Sequence, residues 1–238
     1  SVRRGAALAG LVGAAGGQVG QLILYNTPTL LNTDLVANFN KIVSDNQAKI
    51  VNVSVGECET FAQDDGSAAA ADQSLQQAVA QGQTFSISTG DKGADECGDG
   101  GTTPEWPADS PFVVAVAGTL LSTNGATGYG TEVVWNDLQA FAGGGATGGS
   151  ESTFESKPAF QNALFPAGAH RGVADVAFDA SPESGANVIL NGAISVIGGT
   201  SLAAPIFSGL WARVLAIKGE GIGFAAPLLY QLPAADFH

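Results

Sequence analysis

The 238-residue chain contains no methionine, two cysteines, two histidines and only nine lysines and arginines. Each shortage excludes something. Nine basic residues against 22 acidic ones leave a net charge of -13, so nucleic acid and anionic membranes would be repelled rather than bound. Two cysteines cannot complete a zinc site, and neither histidine stands at ligand spacing from them. No apolar run reaches the roughly 20 residues of a membrane span; the longest candidate, Leu202 to Ala212, is interrupted by Pro205. Arg3 and Arg4 before an Ala/Gly-rich stretch imitate a secretory leader. The stretch is Ala/Gly-rich rather than Leu-rich and runs straight into Gln21-Leu-Ile-Leu-Tyr25, which reads better as a folded segment. At the other end Leu228 to His238 has neither cap nor polar tail, as if cut.

What is present is core material. Hydrophobic residues make up 45% of the chain and charged residues 13%, enough to fold and too apolar for disorder. The length fits one domain over 1–238. Apolar runs bounded by turns recur at Gln21–Tyr25, Lys49–Val55, Thr84–Ser88, Pro111–Ala117, Val173–Phe178 and Val188–Leu190. Several are apolar at consecutive positions, as in parallel strands covered on both faces. Helical patterns lie between them. Thr33-Asp34 can cap a helix through Asp45 with Leu35, Val36, Phe39, Ile42 and Val43 inward, and Ser67 one through Ala80 with Leu75 and Val79 inward. The alternation predicts an α/β fold, doubly wound, with a mostly parallel sheet and helices on both faces. Residues 120–172 read as surface loops and a hairpin on the same domain. Functional loops of such sheets gather at the carboxyl ends of the strands, here after Val55, after Ser88 and before Ser201.

The stretch Gly198-Gly-Thr-Ser-Leu-Ala-Ala-Pro205 places Ser201 at the start of an apolar helix, with Pro205 expected in the first turn. There its hydroxyl is an N-cap, or a nucleophile beside N–H groups and a positive dipole end that can hold an oxyanion. Cys58 and Cys97 each follow a strand end by a few residues, in loops expected to meet. A disulfide suits them better than a metal, and implies an oxidising, extracellular setting. Eleven of the 22 carboxylates lie between Glu57 and Asp109, with Lys92 the single base among them. This is either a solvated acidic face or an adaptation to acid.

Gly-Gly-Thr-Ser-x-Ala-x-Pro resembles the nucleophile motif of the subtilisin clan, and four further stretches resemble one branch of it, the sedolisin or serine-carboxyl peptidase family. They are Val51-Asn-Val-Ser-Val-Gly-Glu-Cys-Glu59, Ser86-Ile-Ser-Thr-Gly-Asp-Lys-Gly93, Trp106-Pro-Ala-Asp-Ser-Pro111 and Val173-Ala-Asp-Val-Ala-Phe-Asp179. The resemblance implies a subtilisin-like fold and a secreted, acid-acting serine-type endopeptidase, monomeric, with polypeptide substrates. It implies Ser201 as nucleophile and a protonated Asp91 donating to the oxyanion. Ser54 and Gly56 would offer backbone groups to an extended substrate, Glu96 a contact in the cleft, and Cys58–Cys97 a disulfide. Calcium is implied too, through an Asp-containing loop that would begin about where this chain ends; no metal ligand is assigned here, and Asp95-Glu96-Cys-Gly-Asp99 lacks the EF-hand pattern.

One departure matters. The family carries a Glu and, four residues on, an Asp on a helix just before the segment matching Leu11 to Gly17. Those positions fall at Arg3 and Ala7, and no carboxylate precedes Asp34. Without a base a serine hydroxyl is a poor nucleophile, so little or no turnover is expected. A pseudoprotease that binds peptides, or a fragment without function, is the alternative. His170 reads as a solvent-facing loop residue rather than a substitute base. A glycosidase-type carboxylate pair is not singled out by any spacing.

Overall fold

The computed structural model describes residues 11–125, 128–138, 144–219 and 222–238. The order of elements is α1 (Asn32–Asp45), β1 (Ile50–Val53), β2 (Glu57–Cys58), α2 (Glu59–Asp64), α3 (Ser67–Ala80), β3 (Thr84–Ser88), β4 (Glu105–Trp106) and β5 (Val114–Asn124). They are followed by β6 (Gly128–Val134), β7 (Glu151–Ser156), β8 (His170–Gly172), β9 (Val176–Asp179), β10 (Ala186–Leu190), β11 (Ala193–Ile197), α4 (Thr200–Lys218) and α5 (Ala225–Leu229). The main sheet runs β1-β3-β5-β6, with β9 also paired to β5. The β1–β3, β3–β5 and β5–β9 pairs are parallel, and only β6 returns antiparallel, as a hairpin partner of β5.

The period of two along a strand sorts the core into two layers. Phe85, Ile87, Val113 and Ala115 face α1 and α3, against Leu35, Phe39, Ile42, Val43, Leu75 and Ala78. Val114 and Val116 face the other way, against Ala203, Ala204, Phe207 and Trp211 of α4. The doubly wound α/β architecture read from the sequence is therefore present. Among the described residues only α4 is long and apolar enough to cross a bilayer, and over half of its apolar window is buried inside the fold. The Ser86 hydroxyl donates to the Ala204 carbonyl at 2.8 Å and ties β3 to that helix.

Several local expectations shift. Gln21–Tyr25 belongs to no ladder among the described residues; an apolar run becomes a strand only where a neighbour offers its backbone groups. Helix α1 begins at Asn32, and the Asp34 carboxylate bonds back to the Thr29 amide instead of capping. Helix α3 starts where expected, but Asp65 accepts from the Ser67 amide at 2.8 Å, and Ala78 rather than Val79 is fully buried. The run at Val188–Leu190 is half of a hairpin, β10–β11, whose return strand the sequence reading did not single out. His170 lies on β8, partly buried and paired with Ser156, not in an open loop. Arg3 and Ala7 lie outside the described residues.

Candidate active site

The three loops expected to converge do so. Ser54, Val55, Gly56 and Glu57 after β1, Ser88, Gly90, Asp91 and Lys92 after β3, and Thr200 and Ser201 at the start of α4 line one cleft of about 270 Å³. Glu96 and Glu105 complete its acidic wall, and Leu30, Asn32 and Leu35 close its far side. The ends of β1 and β3 open on the same side because those strands are parallel, and the start of α4, reached from the antiparallel β10–β11 hairpin, meets them there.

Ser201 is the second residue of α4. Its hydroxyl meets no hydrogen-bond partner among the described residues, and its amide is one of the open donors of a first helical turn. It is not the cap, since Gly199 occupies that position at φ +88°. A Cβ at Gly199 would stand 2.8 Å from Asp91 Oδ2, so this residue needs both the left-handed backbone and the missing side chain. Pro205 is the sixth helical residue rather than part of the first turn. Its absent N–H leaves the Ser201 carbonyl without the usual i+4 donor.

Asp91 is fixed by the residue before the serine. Its Oδ1 accepts from the Thr200 amide at 2.8 Å and lies 3.0 Å from the Thr200 hydroxyl. That hydroxyl in turn accepts from the Gly90 amide at 3.1 Å. The loop is clasped from behind by residues 146–148, where the Ala146 amide donates to the Asp91 carbonyl and the Gly148 amide to the Gly90 carbonyl. Gly90, at φ +96°, leaves room for the Glu96 and Glu105 carboxyl groups, both of which a Cβ would strike. Glu96 accepts from the Lys92 amide at 2.8 Å; burial nevertheless pushes it up to about 7, with the Asp91 and Asp95 charges adding to that direction.

Cys58 and Cys97 are joined in a disulfide, which holds β2 against the turn carrying Glu96. Ser54 and Gly56 lie on the cleft just beyond β1, next to the β2–β4 pair. The cleft thus brings together Ser201, Asp91, Ser54, Gly56 and Glu96, with the disulfide beside it. It adds Thr200 and Glu57, which stood inside quoted motifs, and Glu105, which directly precedes one. Leu30 and Asn32 carried no signal, because they are brought in by the path of the chain into α1.

As for calcium, no group of three or more His, Cys, Asp or Glu among the described residues could hold a metal ion. The Asp95 carboxylate is already occupied by the amides of Gly98, Asp99 and Gly100. The residues described do not fit that ion.

A parallel sheet with helices on both faces, whose strand ends meet a glycine-flanked serine opening a buried helix, defines the architecture of subtilisin-like serine peptidases. The chain belongs to the subtilase family, whose pattern matches residues 5–221. Within it the chain is similar to sedolisin of Pseudomonas sp. (strain 101), 45% identical over 230 residues, which is 93% of this chain and 39% of that protein. It is also similar to xanthomonalisin of Xanthomonas sp. (strain T-22), 40% identical over 93% of this chain and 31% of the relative. The solved structure of Pseudomonas sedolisin, a serine-carboxyl proteinase complexed with pseudo-iodotyrostatin, superposes with a TM-score of 0.91 at 44% identity. That match covers 96% of this chain and 65% of the sedolisin chain. The chain spans about two-fifths of the length of sedolisin.

Proposed function

We propose that residues 1–238 form a single serine-carboxyl peptidase domain, secreted and monomeric, which holds polypeptide in an acid-adapted cleft. Its nucleophile and oxyanion site are assembled and its proton acceptor is missing. The observation that carries this is the junction of Ser201 and Asp91 through Thr200. An extended peptide would lie along Ser54 and Gly56, its carbonyl between the Ser201 amide and the Asp91 carboxyl group. Asp91 can donate only when protonated, because an ionised carboxylate would repel the oxyanion. With Oδ1 already accepting from Thr200, the place for that proton is Oδ2, the oxygen left uncovered by Gly199. Glu96, holding its proton up to about 7, lines the cleft as a neutral donor toward a substrate side chain. The disulfide supports the extracellular setting.

Proton transfer from Ser201 has no evident acceptor. Among the described residues its hydroxyl has no partner, and the positions where relatives are expected to carry Glu and Asp are Arg3 and Ala7. Losing one member of such a unit removes most of the rate. Cleavage of a denatured protein at about pH 4 is therefore expected to be near background, while a peptide aldehyde is expected to bind and to be lost on Ser201→Ala. Rapid turnover that disappears in Ser201→Ala would overturn the missing base; turnover that survives it would overturn the nucleophile.

A further inference from the structure

Behind the cleft, on the α1/α3 side of the sheet, four carboxyl groups from four elements converge: Glu59 at the start of α2, Asp72 on α3, Asp109 in the turn after β4, and Glu155 on β7. Asp109 is 1% exposed and Glu59 fully buried. Among the described residues no N–H or hydroxyl reaches either oxygen of Asp109; the group beside it is the Glu59 carboxyl. Both Glu59 oxygens are already acceptors, Oε2 from the Ser152 hydroxyl and Oε1 from the Thr153 amide, each at 2.8 Å. A hydrogen bond between the two therefore requires its proton on Asp109.

The second pair repeats the arrangement. Asp72 Oδ1 accepts from the Ser110 hydroxyl at 2.6 Å, and the Asp72 and Glu155 carboxyl groups lie side by side on one partly buried cavity, close enough to share a proton. Two carboxylates cannot share such a contact without a proton between them. The nearby cation does not neutralise the cluster. Arg171, fully buried, gives both its terminal nitrogens to Asp175, donates also to the Gly172 and Ser110 carbonyls, and lies 6.0 Å from the centre of the Phe160 ring; it feels the Asp109 charge without a hydrogen bond to it.

We propose that these two acid pairs, Asp109–Glu59 and Glu155–Asp72, are a proton-held latch that pins the 107–112 turn and β7 to α2 and α3, and that opens as pH rises toward and past neutrality. The latch reaches the cleft directly. Glu59 follows Cys58, whose disulfide partner adjoins Glu96, and Glu57 and Cys58 pair with Trp106 and Glu105 at the cleft wall. Burial places Asp109 well above the carboxylate range and Glu155 at about 7, with the neighbouring carboxylates acting in the same direction; Asp72 is raised by burial against the pull of Ser110. The unfolded chain sheds the same protons near pH 4. The folded state therefore binds more protons than the unfolded one between about pH 4 and 7, and its stability falls as pH rises through that window.

The test is thermal unfolding from pH 4 to 8, together with protons released on urea unfolding at about pH 6, for wild type, Asp109→Asn, Glu155→Gln and the double variant. The amides keep a donor toward Glu59 and Asp72 without a charge to develop. The double variant is expected to lose at least half of the fall in Tm and to release about two fewer protons than wild type. Glu96→Gln, run alongside, removes the contribution of the cleft. If Asp109→Asn does not fold, Asp109→Ser takes its place. An unchanged Tm slope or unchanged proton release in the double variant overturns the latch.

Discussion

At the scale of single residues, the hydroxyl and amide of Thr200 decide which Asp91 oxygen is free. Asparagine at position 91 can reproduce the arrangement, its carbonyl accepting from Thr200 and its amide donating where the carboxyl proton would. Asp91→Asn is thus expected to keep peptide-aldehyde affinity close to that of the wild type at pH 4 and to hold it at pH 7. Asp91→Ala removes the donor and should weaken binding by about 10²-fold or more, the usual cost of one oxyanion-hole donor. Calorimetric titration at the two pH values separates these outcomes, and an Asn variant as weak as the Ala variant would count against Asp91 as the donor. Ser201, Asp91, Ser54, Gly56 and Glu96 were all legible because each sits in a short run whose residue types have few other uses together. The proton-sharing pairs were not. Asp109 appears in the sequence only as one position of Trp-Pro-Ala-Asp-Ser-Pro, and nothing local says that it faces Glu59, fifty residues earlier. Pro205 was misplaced for a simpler reason, since the helix opens at Thr200 and puts the proline beyond the turn where a missing N–H is free.

Among elements, the weakest by its own ladder is β2, two residues paired to two residues of β4. An isolated pair of that size has almost no stability of its own. What holds it is the Cys58–Cys97 disulfide on one side and Glu59, bonded to Ser152 and Thr153, on the other. The disulfide closes a loop with a sequence separation of 39, for which the chain-entropy account gives about 4 kcal/mol. The Cys58→Ala, Cys97→Ala variant should lose about that much in urea unfolding at pH 4.5, with the cleft wall carrying Glu57, Glu96 and Glu105 loosened. Loss of less than about 1 kcal/mol would mean that the Glu59 contacts alone hold β2. The same comparison explains which elements the sequence betrayed. Strand β3 and the first half of β5 are buried on both faces and, with the half-buried β1 and β9, read as apolar runs, whereas β2, β4, β7 and β8 are short pairs made by tertiary contact and carry no period of their own. Gln21–Tyr25 has the converse history: its pattern is that of a strand, and pairing, which is a property of neighbours, is absent among the described residues.

For the molecule as a whole, the surplus of 13 negative charges at pH 7 acts in two physically distinct ways, and salt distinguishes them. Charges on the surface repel one another across water and are screened within a Debye length, which shrinks from about 30 Å at 0.01 M to about 8 Å at 0.15 M ionic strength. Glu59 and Asp109 are buried, and Asp72 and Glu155 half-buried beside them, so the cost of ionising these pairs at high pH is screened less than that of the surface charges. Near the sequence pI of about 4.2 the surface charge cancels and the pairs hold their protons, so neither effect operates. Raising salt from 0.01 to 0.15 M is accordingly expected to leave Tm at pH 4.5 within about 1 °C and to raise it at pH 8 by a few degrees. That rise should recover only part of the difference between the two pH values. The remainder, insensitive to salt, is the share of the buried carboxyl groups, and differential scanning calorimetry of the wild type at the four conditions measures it. Complete recovery by salt would assign the whole pH dependence to surface repulsion and leave the interior acids with none.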